Sequence, residues 1–120
     1  MTIPKRLLGL LALQLLLATT ASAAGESADA EIQYLLQEVG SSNCTFVRNG
    51  QRHTAERAEE HLRMKYNKGR KYIGNAEEFI DKIASKSSWT GKPYTIECAN
   101  EAAVKSSNWL LARLHDHRDN

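Results

Sequence analysis

CTFVRNGQRHT, residues 44–54, is the stretch whose reading decides the fold. Thr45, Phe46 and Val47 are β-branched or aromatic residues that suit a pleated, half-buried surface. Asn49-Gly50 supplies the two positive-φ positions of a type I′ turn. The stretch therefore reads as a hairpin with strands over 44–48 and 51–53, and Cys44 sits at its outer start.

Working outward, Thr54 is placed to cap a long helix running to about Ile73. Ala55, Ala58, Leu62, Tyr66 and Ile73 trace its apolar face, and Glu56, Glu59, Glu60, Arg63 and Lys68 are expected to face away, with Glu59 and Arg63 an i,i+4 pair. Asn75, with Glu78 three residues on, starts a third helix whose apolar positions Ala76, Phe79, Ile80, Ile83 and Ala84 fall on one face. Upstream of the hairpin, Asp29 reads as the N-cap of a first helix carrying Ile32, Leu35, Leu36 and Val39, which Gly40 with Ser41 and Ser42 ends. Downstream, Tyr94 to Cys98, with TIEC, reads as a strand region able to pair with the hairpin and bring Cys98 beside Cys44. Ser106 or Ser107 then caps a last helix through Trp109, Leu110 and Leu114, and the tail HDHRDN is expected to fray. The architecture is α+β: about four helices and a small antiparallel sheet, with one disulfide.

The first residues carry a different message. Lys5 and Arg6 precede an apolar run, LLGLLALQLLLA over 7–18, and Ala21-Ser22-Ala23 forms a small-x-small site. This is the pattern of a secretory signal peptide over 1–23, cleaved after Ala23 or Ala24. An apolar helix of that length spans about 18 Å, short of the roughly 30 Å a transmembrane segment must cross. The expected division is signal peptide 1–23, a disordered lead 24–29 and one small domain over 30–117. Cleavage removes Lys5 and Arg6, the whole excess of 16 basic over 14 acidic residues. A formally neutral domain with interleaved signs lacks the electrostatic footprint of a nucleic-acid or anionic-membrane binder, and no membrane insertion is expected after cleavage. In an oxidising compartment the cysteine pair, Cys44 and Cys98, reads as one disulfide, closing a loop of about 55 residues worth roughly 4 kcal/mol on a chain-entropy account. No Cys-x-x-Cys or Cys–His zinc spacing is present.

Four ordered blocks, FVRNGQRHT (46–54), AEEHLRMKY (58–66), AEEFIDKIASKSS (76–88) and TGKPYTI (90–96), together resemble a family of small exported proteobacterial proteins, the YfeK-like domain of unknown function 5329. The resemblance covers about residues 30–114. It implies export and a compact domain, and carries over no catalytic residue.

Three constellations offer chemistry. The first is Arg48, Asn49, His53, Glu56, His61 and Lys65. His61 and Lys65 are i,i+4 on the long helix and His53 lies just before it, so a histidine beside Glu56 could serve as a general base, or the group could be a solvated helix flank. The second is SKSSWTGKPY, 85–94, where Gly91 supplies positive φ, Pro93 stiffens the chain, and Trp89, Thr90, Lys92 and Tyr94 would present a binding loop. Its Thr-Gly-Lys reverses the order of the Lys-Thr-Gly element of serine–lysine acyl transfer, which argues against catalysis there. The third, His115-Asp116-His117, lies on a helix end where i and i+2 diverge, so no metal site is expected. No cofactor is implied. The pattern points to a small periplasmic protein-binding module, an inhibitor or immunity-type partner of an envelope enzyme or toxin. The alternatives are an envelope-polymer hydrolase using the His/Glu group and a structural or stress-related envelope protein.

Overall fold

The computed structural model describes residues 26–120. The expected signal peptide and its cleavage positions, Ala23 and Ala24, lie outside the described residues. These form α1 (Ala28–Ser41), β1 (Thr45–Arg48), β2 (Gln51–His53), α2 (Ala55–Gly69), α3 (Ala76–Lys82), β3 (Thr95–Glu97), β4 (Val104–Lys105) and α4 (Ser106–Asp119). The fold is α+β, as the patterning implied, with an antiparallel sheet of order β2-β1-β3-β4 and a Cys44–Cys98 disulfide.

The hairpin forms where its turn chemistry places it, with Asn49 at φ 51° and Gly50 at φ 78°. Strand alternation then sorts the side chains. Phe46 lies opposite His53 on one side and Ile96 on the other, and this row faces the helices. Arg48, two residues along, shares that inner face, so the apolar row gives way to a polar end at the turn. On the outer face Arg52 reaches across β1 to Glu97, 2.8 Å away.

Helix α2 is capped by Thr54, whose hydroxyl accepts from Arg57 N, and α3 by Asn75, whose carboxamide oxygen accepts from Glu78 N. Glu78 reaches back to Gly74 N, one residue earlier than a capping box would place it. Leu62 and Tyr66 of α2, Phe79 and Ile80 of α3, the apolar stripe of α1, and Leu110 and Leu114 of α4 close one core with Phe46 and Ile96. Tyr66 packs edge-on against Phe79, and its hydroxyl donates to Asp29, which also accepts from Arg70.

Several expectations need correction. Helix α1 begins at Ala28 with Ser27 as N-cap, so Asp29 sits in the first turn and the lead expected over 24–29 is already helical by Ala28. Helix α2 ends at Gly69, and one 3-10 turn, Arg70–Tyr72, replaces the last turn expected to reach Ile73. Glu59 and Arg63 do not face away: Gly40 lacks a side chain, so Glu59 lies against α1 where a β-carbon on Gly40 would collide with it. Arg63 joins Glu59 to Gln33. Ser106 does not cap α4; it is buried and donates to Ala84 O, fastening the helix start to the segment just after α3.

The tail does not fray. Arg118 holds Glu31 of α1 through two hydrogen bonds of 2.7 and 2.8 Å and Glu77 of α3 through two more of 2.6 and 3.1 Å. His117 stacks on Tyr34 and hydrogen-bonds Glu26. Arg118, by hydrogen bonding, holds the nearly buried Glu31 carboxyl below its ordinary range despite the opposing effect of burial.

Two stability outcomes follow from this packing. Phe79→Ala, which empties a fully buried site, should cost about 3–5 kcal/mol in chemical denaturation. Arg118→Ala should cost about 1–3 kcal/mol, because it strands Glu31, whereas Arg52→Ala breaks only an exposed pair and should cost clearly less than Arg118→Ala.

Candidate functional site

The loop over 85–94 doubles back on itself. Tyr94 N donates to Ser85 O, Ser87 N to Lys92 O and Gly91 N to Ser87 O, with Gly91 at φ 75°. Ser87 is buried, and its hydroxyl accepts from the backbone N–H groups of Trp89 and Thr90 at 3.2 Å. Asn49, at the hairpin turn, grips the same loop with both ends of its carboxamide. Its Nδ2 donates to Ser87 Oγ, and its Oδ1 accepts from Thr90 Oγ1 at 2.7 Å. Two loops far apart in sequence are thus one rigid unit.

Trp89 rides on that unit and is 96% exposed. Tyr94, expected to stand beside it as a second exposed ring, is only 6% exposed. Its ring packs edge-on to His61, and its hydroxyl accepts from Lys65 Nζ at 3.1 Å and lies 3.4 Å from His61 Nε2. Lys65 also donates to Lys86 O. Tyr94 therefore forms the floor of a groove of about 430 Å³, with Arg48, Asn49, His61, Met64, Lys65, Lys68, Ser87, Ser88 and Trp89 around it. A shallower depression continues from it past His53, Arg57 and Glu60.

The structure brings together Arg48, Asn49, His61, Lys65, Trp89 and Tyr94, with His53 at the margin and Thr90 in the clamp. It leaves out Lys92, which is exposed on the turn, and Glu56, which is exposed on the first turn of α2 and lines neither depression. The carboxylate at the margin is Glu60, expected to face away. Sequence reading missed Arg57, Met64, Lys68 and the burial of Ser87, whose hydroxyl is one of those the stretch 85–94 offers. A signal was available for the first three, since positions 57, 61, 64, 65 and 68 recur at helical spacing and form one stripe along α2.

The electrostatics of this stripe are one-sided. Burial chiefly, then the positive charges of Arg48 and Lys65 and the neighbouring His53, pushes the His61 imidazole down to about 4. Burial, then Arg48 and Arg57, lowers His53, whose Nε2 is buried without a hydrogen-bond partner. Burial and then Arg48 lower Lys65, while burial raises Tyr94. A formally neutral domain has thus separated its charges, and cations gather at the groove. Near neutral pH both histidines are uncharged, and no carboxylate among the described residues hydrogen-bonds either of them. Among the described residues no three His, Cys, Asp or Glu side chains gather to hold a metal ion, and no helix is long and apolar enough to cross a membrane.

Comparison with known proteins agrees with the motif blocks. The model of a family of unknown function, DUF5329, matches residues 26–118, from the residue before the α1 cap to the arginine that ties α4 down. The chain belongs to this family. An uncharacterized protein, YfeK, of Salmonella typhimurium strain LT2 is 60% identical over 50 residues, a match that spans 42% of each chain. No solved structure matches the chain.

The histidine shifts give a pH dependence with a definite sign. In the unfolded chain His61 binds its proton near 6.5, in the folded one near 4, so between those values the unfolded state holds more protons. Stability should be at its full value above pH of about 6.5 and fall as pH drops toward about 4, with His53 adding in the same direction. Denaturation of His61→Gln across this range should show a flatter profile than the wild type; identical profiles would mean that His61 is not held neutral in its half-buried position.

Proposed function

We propose that this chain is an exported, periplasmic protein that acts by contact, as an inhibitor or immunity-type partner of an envelope enzyme or toxin, with Trp89 as its anchor. The observation that carries the reading is a large aromatic side chain held 96% exposed on a loop that is itself fixed by hydrogen bonds to Asn49 and Ser87. A domain of this size gains nothing in its own core from displaying an indole in water. Presented rigidly, the ring loses little conformational entropy when a partner covers it. The leader-like residues 1–23 and the Cys44–Cys98 disulfide both support an oxidising compartment outside the cytoplasm. A hydrolase reading finds less support, because among the described residues neither His53 nor His61 has an orienting carboxylate in hydrogen-bond contact, and the hydroxyl beside His61 is that of the buried Tyr94.

Affinity capture from periplasmic extract with the wild-type chain, followed by binding measurements on the captured protein, tests the reading. Trp89→Ala should leave the thermal melt within about 0.5 kcal/mol of the wild type, since the ring packs on nothing, and weaken binding about thirtyfold, a loss of about 2 kcal/mol. Full-strength binding by folded Trp89→Ala would rule out the anchor. Recovery of the protein from the cytoplasm with Met1 still attached would rule out export.

A further inference from the structure

Unlike the arginines that join elements, the cations of the groove beside Trp89 have no acid lining the groove with them. Where arginines join elements they are matched by acids: Arg52 with Glu97, Arg63 with Glu59, Arg70 with Asp29, and Arg118 with Glu31 and Glu77. Arg48 and Lys65 are both partly buried, and neither has a carboxylate within ion-pair distance among the described residues. Lys68 lines the same groove, and no acidic residue does. Gathering like charges in a half-desolvated groove costs free energy unless a counter-charge arrives. Burial and the charge of Arg48 already push the Lys65 ammonium below its ordinary range.

Lys65 is also preorganised. Two of its three N–H groups are spent on neutral acceptors, Lys86 O and Tyr94 Oη, so the ammonium is fixed in space with one donor left. Arg48 makes no side-chain hydrogen bond among the described residues, and its guanidinium fork remains free for a carboxylate. The walls of the groove are Trp89 and Met64, two of the large apolar side chains that the surface exposes. Trp, Met and Arg are the side chains enriched where proteins meet proteins, and a flexible thioether adapts to an apolar side chain of a partner.

We propose that this groove docks an acidic segment of a protein partner, seating a carboxylate on Arg48 and Lys65 with an apolar side chain between Trp89 and Met64. The inference rests on the contact reading above and adds the chemistry of the partner. An anionic polysaccharide could satisfy the charges, but it would not use the Met64 wall.

Panning a random linear peptide library against the folded full chain tests it, with selected peptides resynthesised and titrated. Selected sequences should carry Asp or Glu next to an aliphatic or aromatic residue. Their affinity should fall about tenfold or more in Arg48→Glu and on raising ionic strength from about 0.05 M to about 0.5 M. Arg48→Gln, checked by thermal melt, serves if the charge reversal unfolds the domain, and Met64→Ala should weaken the same peptides. Peptides without acidic preference, peptides bound equally by folded Arg48 variants, or no selected peptide at all would each overturn the proposal. So would oligogalacturonate, as the anionic-sugar probe, binding more tightly than any peptide. Peptides that depend on Trp89 but not on Arg48 or Lys65 would overturn the acidic segment alone and leave the contact reading standing.

Discussion

Pairing of β1 with β3 sets Thr45 opposite Glu97 and Val47 opposite Thr95, and so closes a loop of chain that contains α2 and α3. Closing a loop of that length costs entropy that three residue pairs repay poorly. The disulfide, joining the residue before β1 to the residue after β3, removes much of that cost from the unfolded side. Everything at the site depends on this closure. It brings the loop over 85–94 against the hairpin turn, where Asn49 can reach Ser87 and Thr90. Without it the Asn49 side chain would have only water to bond.

The polar end of the inner face follows from the same pairing. Phe46 and Ile96 face the helices and seal the core, and alternation then forces Arg48 onto the same side one step nearer the turn. The core ends before it reaches Arg48, so the guanidinium emerges into the groove beside α2. Where α4 meets α1 and α3, Arg118 pairs with Glu31 and Glu77 and is fully matched. The two arginines show what the chain does with a positive charge for stability and what it leaves open.

The fold was largely legible in the sequence because its signals are local. Asn49-Gly50 demands a hairpin, Thr54 and Asn75 demand helix starts, and the apolar spacing of α1 and α3 places their buried faces. What escaped reading is set at long range. The strand β4 has two exposed residues and exists only because Ile96 and Thr95 offer an edge to it. The tail is ordered by Arg118, whose partner Glu31 lies 87 residues away. Of the candidate site, Arg48 and Asn49 on the hairpin and His61 and Lys65 on α2 were identified, but their orientation was not, and Arg57, Met64 and Lys68 of α2 were passed over. Tyr94 looked like half of an exposed aromatic pair because nothing local reveals that His61 and Lys65 will cover it. The stripe at 57, 61, 64, 65 and 68 looks like any solvated helix face until the loop over 85–94 folds across it.

That loop also explains why an exposed indole can persist without disordering its surroundings. A tryptophan on a mobile loop tends to collapse onto the nearest apolar surface, which here would be Met64 or the Tyr94 ring. The hydroxyl of Ser87, buried and already accepting from Trp89 N, Thr90 N and Asn49, fixes the backbone on both sides of the ring. Thr90 Oγ1 adds a second tie by accepting from Lys92 N while donating to Asn49. Collapse would require breaking bonds to a buried hydroxyl, each costing on the order of 1 kcal/mol. The ring is therefore held away from its own protein, with its face open and its backbone already in place for whatever covers it.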